Sequence, residues 1–295
     1  MQVLIDASNA WYRAYTATSW LDQPGAGVMI FTYMLRRVCT EYGKNSVTIV
    51  WDGGGSSGRK ELDETYKADR KAVEGVWEDI VYAKSMVTCL GLANAVAKGF
   101  EADDVLGSLA SKSPDPSLIL SYDKDFYQLV NDKIGILRPE RTVKGNKIPQ
   151  QIIDRDAVIE EFGCPPEKVV LYKSFRGDAS DNIPKISIRF TKNFSETFYR
   201  VLLSSSNLED FYSRIDDFDP KYREELLQFK DRANLNEQIL KIKTELDIQV
   251  EHPKLDPPAF ETLCKELEIT KLKVSDWESM ITEAPPPAPI QNTLF

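Results

Sequence analysis

Three short apolar runs constrain this chain more than any other feature. Val3 to Ile5, Val47 to Trp51 and the "SLIL" beginning at Ser117 read as buried strands, and each runs into an aspartate. Those aspartates are Asp6, Asp52 and Asp123, with Asp125 two residues beyond the last. The intervening segments are long enough for crossover helices, and residues 28–43, "VMIFTYMLRRVCTEYG", repeat their apolar positions at helical spacing. Strands alternating with helices predict an α/β fold with a mainly parallel central sheet. Ligands of such open sheets bind outside the carboxyl ends of the strands, so these aspartates are expected at one site.

Two further acidic clusters add to them. In "GFEADDVLGSLASKS", Glu101, Asp103 and Asp104 lead an amphipathic helix, where acids alone would merely complement the helix dipole. In "FRGDASDNIP", Asp178 and Asp181 stand three apart in what would otherwise be an Asx-rich loop before a proline. Together the acids number nine, and carboxylates crowded into one pocket raise one another's pKa unless cations neutralise them. The single histidine, His252, lies in a turn-like "QVEHPKLDPP" and reads as a surface residue. The four cysteines, Cys39, Cys89, Cys164 and Cys264, are far apart without a CxxC pair, and read as small buried hydrophobes rather than a zinc site or disulfide framework. An all-oxygen ligand set selects Mg²⁺ or Mn²⁺. Two such ions about 4 Å apart are the apparatus for in-line phosphodiester displacement, one activating the attacking water and the other stabilising the leaving oxygen. A net charge of −9 ordinarily argues against a nucleic-acid partner, but acids gathered in one metal pocket leave the remaining surface neutral or locally basic.

The glycine run after Asp52 does not make a phosphate loop. Gly53 and Gly58 fit the spacing, but Arg59 and Lys60 stand where lysine and a hydroxyl residue belong. The run reads instead as a hinge into a charged helical segment carrying Arg59, Lys60, Lys67, Arg70 and Lys71, interleaved with Glu61, Asp63, Glu64, Asp69 and Glu74. A phosphate-binding element and a solvated helix share that composition.

The order and wording of "LIDASN", "WDG", "YKADR", "FEADD", "SYDKD" and "GDASDNIP" resemble the flap endonuclease and 5′-3′ exonuclease family, whose nuclease domain is PIN-like. The resemblance spans residues 1 to about 185 and implies a two-metal nuclease cutting DNA near a junction of single and double strand. It implies that Asp6, Asp52, Glu101, Asp103 and Asp104 surround mainly one metal, and Asp123, Asp125, Asp178 and Asp181 the other. Lys67 and Arg70 match the family's helical arch, where they would contact the scissile phosphate, and Tyr66 beside them would stack on a base. After "GDASDNIP" the chain departs from the family. The glycine-containing hairpin that grips duplex phosphates, often with a monovalent ion such as potassium, is replaced by "KISIRFTKNFSETF". Lys185, Arg189 and Lys192 are then the candidates for duplex contact by side chain, and the variation resembles the bacteriophage RNase H branch, which removes RNA primers and adjoining DNA.

These readings predict a PIN-like domain at 1–150 with the arch at about 53–80, a smaller helical DNA-binding domain at 151–281 that includes the GDASDN loop, and a proline-rich tether at 282–295. Candidate helices fall near 154–162, 166–175, 195–205, 221–229, 235–243 and 258–267. The closing Gln291 to Phe295 resembles the bacterial sliding-clamp pentapeptide, with Gln291, Leu294 and Phe295 as its anchors. No apolar run approaches the roughly 18 residues of a membrane span. The expectation is a cytoplasmic monomer acting on 5′ flaps, 5′ ends or RNA primers. The alternatives are a PIN-like single-stranded ribonuclease, which predicts fewer carboxylates, and a non-catalytic DNA-binding or clamp-adaptor protein, which would leave the acids repelling one another.

Overall fold

The computed structural model describes residues 1–21, 23–71, 73–143 and 145–282. The aspartate-ended runs form β1 (Gln2–Asp6), β2 (Val47–Trp51) and, after β3 (Ala93–Val96), β4 (Ser117–Leu120). Parallel pairing sets β1 between β2 and β4, with β3 beyond β2 and β5 (Ile134–Arg138) beyond β4. The chain therefore travels outward from β1 to β3, then crosses back over β1 to lay down β4. That reversal is the switch point of an open α/β sheet, and the aspartates stand at its carboxyl edge. A hairpin of β6 (Arg141–Val143) and β7 (Asn146–Ile148) precedes β8 (Gln151–Ile153), which pairs antiparallel with β5. At the opposite edge β9 (Val250–Glu251) pairs antiparallel with β3.

Strand alternation supplies an apolar surface on both faces. Val3, Ile5 and Ile49 meet α1 (Ala7–Thr18), α2 (Ala26–Tyr42) and, beyond the single-turn α3 (Arg59–Leu62), α4 (Ile80–Cys89), through Trp11, Phe31, Leu35 and Met86. Leu4, Val50 and Ile119 meet Val105 and Leu106 of α5 (Ala102–Lys112) and Val158 of α6 (Arg155–Phe162). A separate aromatic core of Phe175, Phe194, Phe198, Phe211 and Phe218 joins α7 (Val169–Arg176), α8 (Lys192–Ser204), α9 (Leu208–Ser213) and α10 (Pro220–Gln228). The next helix, α11 (Lys230–Leu240), packs against α7.

Three expectations need correction. A domain boundary at residue 150 is not where the chain divides: β8 and β9 extend the main sheet, and α12 (Pro257–Glu266) and α13 (Ser275–Thr282) return to its first core with Phe260, Leu263 and Trp277. The helical satellite is thus the stretch from α7 to α11. The arch is not helical over 53–80; α3 is a single turn, followed mainly by turns until Ile80. The backbone turns left-handed at Lys67 (φ 55°) and Gly75 (φ 78°), which interrupts any continuous right-handed helix there. The helix expected at 235–243 ends instead at Leu240, after which residues 241–249 run without regular structure to β9. All four cysteines are free and buried, His252 is exposed, and among the described residues no helix is long and apolar enough to cross a membrane.

Candidate active site

Each acid at the sheet's carboxyl edge is fixed by a local backbone or hydroxyl bond. Asp6 caps α1, accepting from the Asn9 amide at 3.1 Å, and its other oxygen accepts from Ser121 Oγ at 3.0 Å. Asp52 accepts from the Ala102 amide at 2.7 Å and so caps α5 from a neighbouring strand end. Asp123 accepts from the Asp125 amide at 2.9 Å. Asp178 accepts from the Ser180 amide at 2.9 Å and the Ser180 hydroxyl at 2.6 Å. The glycine run brings Asp52 to α5. A Cβ on Gly53 would lie 1.8 Å from the Ala97 carbonyl, so only glycine permits the two loops to meet there.

Asp6, Asp52, Glu101, Asp103 and Asp123 line one cleft of about 610 Å³ together with Lys67, Arg70 and Lys71. Its electrostatics are those of a pocket short of positive charge. Burial, reinforced by Asp52, pushes the Asp6 carboxyl up to about 7. Burial and the Asp123 charge hold Asp103 well above the usual carboxylate range. Burial works against the Lys67 ammonium, but Asp103, Glu101 and Asp181 outweigh it and keep that lysine more basic than usual. Among the described residues no three carboxylates already surround a single point as one metal ion requires. The donor set nevertheless fits hard divalent cations, being all oxygen and mutually repelling.

The remaining acids are held by side-chain cations. Lys67 Nζ lies 2.9 Å from Glu101 and 3.9 Å from Asp181, and Arg70 also reaches the Asp181 carboxylate. Lys173, which the sequence reading overlooked, joins Asp125 to Asp178, the latter at 2.7 Å. Burial nonetheless pushes Asp125 up to about 7 against the pull of Lys173. An adjoining cleft of about 450 Å³ contains Asp123, Lys173 and Asp178. The segment bearing Lys67 is stapled to the GDASDN loop, because the Lys67 amide donates to the Asp181 carbonyl at 3.0 Å and Asn182 Nδ2 donates to the Thr65 carbonyl at 3.2 Å.

Three expected site residues face elsewhere. Asp104 is fully buried, takes two bonds from the Arg59 guanidinium at 2.8 and 3.0 Å, and accepts from the Lys243 amide at 2.7 Å. With its oxygens so engaged it does not line the cleft and is not a candidate metal ligand. Arg59 is 5% exposed and also donates to Glu101 and to the carbonyls of Ile239 and Lys241, which removes it from any DNA-facing surface. Tyr66 is 4% exposed and donates its hydroxyl to Glu101 at 3.1 Å, so its ring is not free to stack on a base. Lys60, Lys185, Arg189 and Lys192 are exposed and outside the acidic cleft. The carbonyls of Ser174 and Pro184, which flank the GDASDN loop, are both bound at 2.8 Å by the buried Asn236 amide, a contact between distant elements that no local pattern announces. Gln291, Leu294 and Phe295 lie outside the described residues.

A family model described as the 5′-3′ exonuclease N-terminal resolvase-like domain matches residues 1–163. Among curated proteins, the chain is 32% identical over 275 residues to the thermostable DNA polymerase I of Thermus aquaticus and 30% identical over 292 residues to the DNA polymerase I of Pseudomonas aeruginosa. Each alignment covers 90% of this chain but 31% and 30% of those polymerases, so the chain spans about a third of their length. Among solved structures, the bacteriophage T5 flap endonuclease in complex with DNA and metal ions aligns with a TM-score of 0.65 at 15% identity, covering 95% of this chain and 97% of that one. Human GEN1 in complex with Holliday junction DNA aligns with a TM-score of 0.66 at 13% identity, covering 95% and 70%. At those identities the likeness establishes the fold.

Proposed function

Because this chain belongs to the 5′-3′ exonuclease family, we propose that it is a divalent-metal-dependent 5′ nuclease. It would hydrolyse phosphodiester bonds in DNA and RNA–DNA primers, from 5′ ends and at 5′-flap junctions. The observation that carries this reading is the cleft that Asp6, Asp52, Asp103 and Asp123 line together with Lys67 and Arg70. Asp6, Asp52, Glu101, Asp103 and Asp123 are the residues to hold one Mg²⁺ or Mn²⁺, and Asp125, Asp178 and Asp181 with Asp123 a second. The chemistry such ions supply is acidification of the attacking water and neutralisation of charge developing on the phosphate. Lys67 and Arg70 would bind the scissile phosphate and stabilise its added charge, a role suited to a lysine that its neighbours keep protonated. Lys71, at the cleft, and the exposed Lys60, Lys185, Arg189 and Lys192 would meet the flanking backbone by charge rather than base readout. The Gln291 to Phe295 tail would tether the protein to a sliding clamp and raise its concentration at primer junctions.

The test is a product map on a 5′-flap duplex labelled at each end, beside a blunt duplex and an RNA–DNA hybrid, in Mg²⁺ or EDTA. Metal-dependent cuts at the flap junction or short products from 5′ ends are expected. Binding without cleavage of any substrate would overturn the nuclease reading in favour of an adaptor, and cleavage confined to single-stranded RNA would favour a PIN-like ribonuclease.

A further inference from the structure

Trp77 is 46% exposed, yet the three residues that lead into it are anchored to α1. Trp11 Nε1 donates to the Val76 carbonyl at 2.8 Å, Tyr15 Oη donates to the Glu74 carbonyl at 3.1 Å, and the Val76 side chain is fully buried. Gly75, at φ 78°, lets this segment approach α1 so closely that a Cβ there would lie 2.4 Å from Tyr15 Oη. The indole is therefore a large apolar surface presented from a fixed position. It borders the acidic cleft, as does Tyr12, and their ring centroids are 6.3 Å apart with 33° between planes. That separation is direct ring contact, which leaves no slot for a flat base between them but an open face on Trp77.

We propose that Trp77, backed by Tyr12, is a stacking platform for an unpaired nucleobase of the 5′ strand next to the scissile phosphate. The inference rests on the 5′-nuclease reading and adds to it the element that grips the single strand. In the 5′-nuclease reading the carboxylates of this cleft are taken up by metal ions, which leaves its cations and the exposed ring to select the occupant. Lys67, Arg70 and Lys71 line the same cleft, and aromatic faces interleaved with cations are the arrangement that binds single-stranded nucleic acid with little sequence preference. An apolar peptide or acyl chain would instead have to enter between charged walls.

The experiment measures affinity, in Ca²⁺ to suppress cutting, for a 5′-flap duplex and for a series in which one abasic residue is stepped through the positions around the junction. Wild type, Trp77→Ala and Trp77→Phe are compared. Trp77→Ala should weaken binding of the intact flap roughly tenfold, the penalty should vanish when the abasic residue occupies one particular position, and Trp77→Phe should restore most of the loss. An equal penalty at every abasic position would overturn the platform and make Trp77 a support of the arch, as would no penalty at all. Cleavage by wild type in Mg²⁺ is scored in parallel. Its presence with an unvarying Trp77 penalty defeats only this inference, whereas its absence on every substrate defeats the nuclease reading as well.

Discussion

Lys173 stands where carboxylates from two different elements would otherwise face each other, and it is 7% exposed. Removing one partner of a buried ion pair leaves an uncompensated charge at a cost of about 3–5 kcal/mol. Lys173→Met should therefore lower the unfolding midpoint, and adding Asp125→Asn should recover part of the loss. Strictly additive losses in a double-mutant cycle would show that the two do not interact. The acids also fix a pH dependence. Asp6 and Asp125 are raised from 3.8 to about 7, so their contribution to stability is complete below 3.8 and is lost as pH rises through 7. In EDTA the melting temperature should fall between about pH 4 and pH 7, and Mg²⁺ should flatten that slope. A melting temperature that climbs over the same window in EDTA would contradict the assignment. For catalysis, Asp125→Asn and Asp181→Asn are each expected to abolish cutting while DNA binding persists; cleavage retained in both would remove them from the metal site.

At the scale of elements, Arg59 turns the glycine-rich hinge into a strut. From α3 it reaches Asp104 on α5 and the carbonyls of Ile239 and Lys241 at the end of α11, while Arg232 on α11 returns to Asp63 at 2.6 Å. The base of the arch is thereby locked to both the sheet domain and the helical satellite. Arg59→Met should cost about 3–5 kcal/mol in denaturant unfolding without changing the salt dependence of DNA binding. Lys71→Met should do the reverse, leaving the unfolding midpoint alone and reducing the salt slope by about one. Exchange of those two signatures would restore Arg59 to the DNA surface. The sequence made most of the acids legible because they follow an apolar strand or open a helix, and Asp178 and Asp181 because they stand three apart in one short loop. It concealed Arg59 and Tyr66, since a basic residue and a tyrosine among alternating charges look the same whether they face solvent or a buried carboxylate.

At the scale of the molecule, the chain closes on itself. Phe260, Leu263 and Trp277 come from its far end to fill the core begun by Trp11 and Phe31. A chain ending at residue 247 should lose its cooperative unfolding transition, because the apolar faces of α2 and α4 would be bared. A chain ending at residue 282 should keep both the transition and metal-dependent cutting, and lose only stimulation by a sliding clamp. Unchanged stimulation would dispose of the tail as a clamp ligand, and a cooperative transition in the shorter chain would show that α12 and α13 are dispensable.

The sequence by itself determined the parallel sheet and the acids at its carboxyl edge, because apolar runs of strand length, crossover spacing and terminal aspartates are local properties of the chain. Only the tertiary structure decided which acids share a cleft. Asp104 is turned away to Arg59, Asp125 and Asp178 are joined through Lys173, and Trp77 is held at the rim by Trp11 and Tyr15. Charge and burial at those positions depend on partners five to more than sixty residues away, and the direction in which a side chain points across such distances is set by packing.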